Sequence, residues 1–68
     1  MGHARTPLGE MAVAAPRMGD WLTELVRESG VGAVDDPDAR ILAARINDIA
    51  SMLTVVSACA YRLDAQAS

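Results

Sequence analysis

Three carboxylates crowd into the stretch VDDPDA: Asp35, Asp36 and Asp38. Acids this close could hold a hard cation or divide the work of acid and base. A calcium loop needs further oxygen ligands and a glycine at its sharp turn, whereas here Pro37 stands among the acids. The same residues fit a helix start better. Asp36 can cap, Pro37 suits the first helical position, and Asp38 meets the positive end of the helix dipole. Cys59 is the only thiol. A nucleophilic cysteine needs a base nearby, and the single histidine, His3, is remote in sequence. The apolar setting of Cys59 predicts a small buried packing residue. Asp48 has an obvious local partner in Arg45, three residues earlier. No catalytic, cofactor-binding or metal-ligating set emerges, and the chain is expected not to be an enzyme.

The elements that position these residues are legible from composition and spacing. Hydrophobic residues make up 51% of the 68, yet Trp21 and Tyr61 are the only aromatics. A core built from Leu, Ile, Val, Met and Ala suits helices, so the expected fold class is all-α. Residues 1–17 read as a mobile or partly helical arm, in which Thr6 can cap a short helix over 7–15 and Pro16 ends it. Residues 18–68 read as a helical hairpin. Its short helix spans 20–29, with Asp20 as cap and Gly30 as the terminating residue. Its long helix spans 37–65, capped by Asp36. Trp21, Leu22 and Leu25 share a stripe on the short helix. They plug the hairpin core, the favoured assignment for Trp21, or anchor a partner.

On the long helix Leu42, Ile46, Ile49, Leu53, Val56, Ala60 and Leu63 recur at alternating steps of four and three, a heptad seam. Its flanks, Ala43, Ala50 and Ser57 on one side and Arg45, Met52 and Cys59 on the other, are small or apolar apart from Arg45, which widens the face beyond that of a two-stranded coil. A ten-residue helix of roughly 15 Å covers little more than a third of a helix of roughly 42 Å. Unless the arm folds back over it, the far half of the seam should therefore lie against another chain. A second copy is the simplest choice, forming a helical bundle or coiled-coil-like homo-oligomer, a dimer before a tetramer.

Charge and size narrow the function classes. The net charge is −3, with the acids concentrated in residues 19–38, which gives little general attraction for nucleic acid or an anionic membrane. The VGAVDD connection is longer than a helix-turn-helix turn, so a DNA-binding or antitoxin-like regulator is the weaker alternative. No run reaches the ~18–20 consecutive apolar residues of a membrane span, which disfavours a membrane-active peptide. No secretory pattern opens the chain, and one thiol implies no oxidising compartment. A cytoplasmic setting is expected. Arg supplies all six basic residues, which with abundant Ala fits a GC-rich bacterial or phage genome. A small non-catalytic protein acting through protein–protein contacts is the expected function: an accessory subunit, adaptor or inhibitor that self-associates through its long helix and engages a larger protein.

Overall fold

A computed structural model describes residues 6–67; the arm residues 1–5, with His3, lie outside the described residues. Two helices pack side by side. α1 spans Pro7–Ser29, a single 3-10 turn spans Val31–Ala33, and α2 spans Pro37–Ala67. The described residues contain no strand.

α1 begins as the sequence suggests: the Thr6 side chain accepts a hydrogen bond from the Gly9 amide, and Pro7 takes the first turn. Pro16 does not end it. The expected helices over 7–15 and 20–29 are one 23-residue helix with Pro16 inside, and the boundary drawn between residues 17 and 18 falls within it. Proline in a helix interior removes one backbone bond, the one its amide would give to residue i−4, and costs about 3 kcal/mol. Here the freed acceptor is the Ala12 carbonyl. The Ser57 hydroxyl of α2 donates to it at 2.5 Å, so a tertiary hydrogen bond replaces the missing helical one. Asp20 is consequently no cap. It is an exposed mid-helix residue, because the helix that it was to begin had already begun at Pro7. α1 ends at Gly30, whose φ of 75° is left-handed, a conformation that glycine adopts without steric cost.

α2 starts as expected. The Asp36 carboxylate accepts from the Asp38 amide at 2.8 Å, the Asp35 carboxylate pairs with Arg40, and Asp38 lies in the first turn. The three acids are thus engaged at a helix terminus. Arg45 and Asp48 form the local pair, at 3.7 Å.

Three contacts fix an antiparallel register. Thr6 donates to Asp64 at 2.5 Å, Ala12 meets Ser57, and Gly19 lies on Ala50. Small residues predominate in the seam, with a few Leu, Ile and Val among them. α1 contributes Leu8, Ala12, Ala15, Gly19, Leu22 and Val26; α2 contributes Ala39, Ala43, Ile46, Ala50, Leu53, Ser57, Ala60 and Asp64, all buried or half-buried. Each set recurs at steps of four and three, the spacing of an antiparallel helix pair. A methyl group added to Gly19 would sit 3.6 Å from the Ala50 Cα, so the two backbones approach closely.

Ser57→Ala should destabilise by ~1–3 kcal/mol, because it leaves the part-buried Ala12 carbonyl without a donor. Pro16→Ala, which restores the helical amide, should largely remove that penalty. Thermal melts of the two single variants and the double variant read the coupling.

Candidate interaction face

The close seam leaves many of the large apolar side chains outside it. Among the described residues, Ala15 and Ala60 are the only buried hydrophobic residues, and no large side chain is fully buried. The predicted seam is divided between two directions. Ile46, Leu53 and Ala60 turn toward α1, while Leu42, Ile49, Val56 and Leu63 are exposed. The division follows from α1 being 23 residues long. It runs along most of α2, so no half of the long helix is left without an intrachain neighbour. Because Ala43, Ala50 and Ser57 let the helices approach, α1 settles over them and over Ile46 and Leu53, displaced from Leu42 and Ile49.

Where the exposed residues point follows from helical geometry. A residue three positions beyond a seam residue is rotated about 60° back from it, at close to 100° per residue. Met11, Met18 and Leu25 stand three positions beyond Leu8, Ala15 and Leu22; Leu42, Ile49, Val56 and Leu63 stand three beyond Ala39, Ile46, Leu53 and Ala60. Two antiparallel right-handed helices rotated in the same sense present those positions on the same side. One flank of the hairpin is therefore a continuous apolar face. The positions one beyond each seam residue make the opposite flank. They include Asp20, Thr23 and Arg27 on α1 and Arg40, Asn47, Ser51 and Thr54 on α2, a mostly polar surface from the turn to the middle, and Val13, Tyr61 and Ala65 toward the open end.

The shape is a thin, elongated layer. The molecule measures 50 × 23 × 11 Å, one helix thick. Its radius of gyration is 15.6 Å, against ~11 Å for a compact domain of this length. It exposes 5322 Å², whereas a compact monomer of this mass exposes roughly 4,100 Å². The excess of roughly 1,200 Å² exceeds the ~800 Å² that each partner buries in a standard interface.

Two further residues depart from expectation. Trp21 is 63% exposed and fills no core: it lies beyond the apolar flank on the side of α1 away from α2. Leu25 is also exposed, and of the three only Leu22 enters the seam. Cys59 is a free, exposed thiol, one position before Ala60 and so turned away from α1. Neither was placed by the apolar character of the surrounding sequence, because which side α1 would cover could not be read from α2 alone.

Nothing gathers for chemistry among the described residues. No three His, Cys, Asp or Glu side chains converge as a metal set. Two shallow depressions, beside Asp64 at the open end and beside Asp35 at the turn, each contain one carboxylate. Seven acids, Asp20, Glu24, Glu28, Asp35, Asp36, Asp38 and Asp48, share the turn half with Arg27, Arg40 and Arg45, an excess of four negative charges. Among the described residues the open half balances Glu10 and Asp64 with Arg17 and Arg62; Arg5 lies outside them. Searches against family models, curated proteins and solved structures find no match.

Proposed function

We propose that this chain is a small non-catalytic interaction protein that self-associates through the apolar flank of its hairpin. The observation that carries this reading is the uncovered face of Met11, Met18, Leu25, Leu42, Ile49, Val56 and Leu63 on a layer one helix thick. A hairpin with no large buried side chain cannot offset its own conformational entropy, and small scaffolds of this kind need a partner, a metal or disulfides. Covering the face supplies ~1.5–3 kcal/mol for each large apolar residue brought out of water. Trp21, at the rim of that face, is suited to anchor a larger protein once the hairpins have associated. The roles that fit are accessory subunit, adaptor and inhibitor.

Folding and association should then be one transition. The melting temperature followed by circular dichroism should rise by several degrees for each tenfold increase in concentration. A melting temperature independent of concentration, with helicity retained, counts against the reading.

A second reading has one observation in its favour. The most apolar 18-residue window of α2 has a mean hydropathy of 1.4, enough by length and composition to cross a bilayer, although its apolar residues are not consecutive. Against it, inserting the hairpin would carry Glu10, Arg17, Asp20, Glu24, Arg27 and Glu28 of α1 into lipid, at about 2.5–3.5 kcal/mol for each charge near the centre. Flotation with phospholipid vesicles separates the two readings, and the chain should stay with the aqueous fraction.

A further inference from the structure

Resting on that self-association, we propose that the occupant of the apolar face is one second copy of this chain, packed head to tail, with the two turns at opposite ends of a four-helix bundle. The layer is 11 Å thick and 23 Å wide, so two stacked layers give a nearly square cross-section, as four packed helices require. An isologous dimer needs a surface that matches itself under a two-fold rotation. Both stripes do so, about one shared level.

On α2 the pattern is symmetric about Met52. Leu42 and Leu63 lie nearly equidistant from it on either side, as do Ile49 and Val56. On α1 it is symmetric about Met18, with Met11 and Leu25 seven residues to each side. Gly19 lies on Ala50, so Met18 and Met52 stand within about one residue of the same height along the hairpin. A two-fold axis crossing both helices at that height sets Leu42 on the partner's Leu63, Ile49 on the partner's Val56, and Met11 on the partner's Leu25. The methionines meet at the centre, where their flexible side chains fill irregular space.

The other face-to-face arrangement stacks turn on turn and lays each α2 over the partner's α1. Two observations disfavour it. It brings together two ends that each carry an excess of four negative charges, whereas head to tail sets each such end against a balanced one. It also leaves Leu63 without an apolar counterpart among the described residues, because Asp64 is level with Thr6 at the start of α1.

Pulsed dipolar spectroscopy on spin-labelled Gly32→Cys, in a Cys59→Ser background, decides the matter. Gly32 lies in the turn with nothing within 4 Å of the position a Cβ would take, so the label is tolerated. Head to tail predicts a label separation near the full molecular length, about 50 Å. In a mixture of Gly32→Cys and Gln66→Cys copies, a second and shorter distance of roughly the molecular width, about 23 Å, should appear between unlike labels. A separation of about 23 Å between two Gly32 labels overturns the head-to-tail arrangement and leaves self-association standing. Absence of any dipolar modulation, with helicity intact, overturns both.

Discussion

Ile49→Asp should turn the assembly into separate 7.2 kDa chains that have lost most of their helicity. In a single hairpin Ile49 is 38% exposed, and an aspartate there would reach water at little cost. Against a second copy the same carboxylate is enclosed by apolar side chains. An unpaired buried charge costs several kcal/mol or must take up a proton, which is comparable with the whole stability of a domain of this size. Ser51→Asp is the matched control. Ser51 stands one position beyond Ala50 on the polar flank, and the substitution should leave mass and helicity unchanged. Leu53→Asp discriminates less well, because Leu53 faces α1 and its loss damages the hairpin whether or not a partner is present. An Ile49→Asp variant that stays helical and assembled would mean that this flank faces solvent.

Gly19→Leu should be the most damaging change within the seam. A Cβ on Gly19 would make ordinary contacts with Ala50, at 3.6 Å to its Cα and 3.7 Å to its Cβ and carbonyl oxygen. Gly19→Ala therefore fits and should stabilise the helix by up to ~1 kcal/mol through propensity alone. A leucine has nowhere to place its remaining carbons except into the backbone of α2. Overpacking of this kind costs ~1–3 kcal/mol, and separating the helices also removes the Ser57 donor from the Ala12 carbonyl. Thermal melts should rank alanine at or above the native glycine and leucine well below it. A leucine variant that melts with the native protein would show that the helices do not approach closely at Ala50.

The caps and the turn were legible because each depends on adjacent residues: Thr6 with Pro7, Asp36 with Pro37 and Asp38, and Gly30 after Ser29. The long helix was legible because no Gly or Pro interrupts it after Pro37. Pro16 misled because the remedy for its missing amide is Ser57, far along the chain and on the other helix. Continuing α1 through Pro16 lengthened it enough to span most of α2, and that in turn removed the reason for expecting half of α2 to be bare. The heptad Leu42 to Leu63 was visible as a pattern, but its rotation was not. Which edge faces α1 is decided by the small residues at Ala43, Ala50 and Ser57 meeting Ala12, Ala15 and Gly19. Those same small residues, first noticed as a widened flank, are what leave the large ones outside.

Sedimentation equilibrium of the unaltered chain at micromolar concentration decides whether a second copy covers the apolar flank. A single helical species of twice the 7.2 kDa chain mass is expected, dissociating and unfolding together on dilution. A fully helical species of 7.2 kDa that persists unchanged across the concentration range would contradict it.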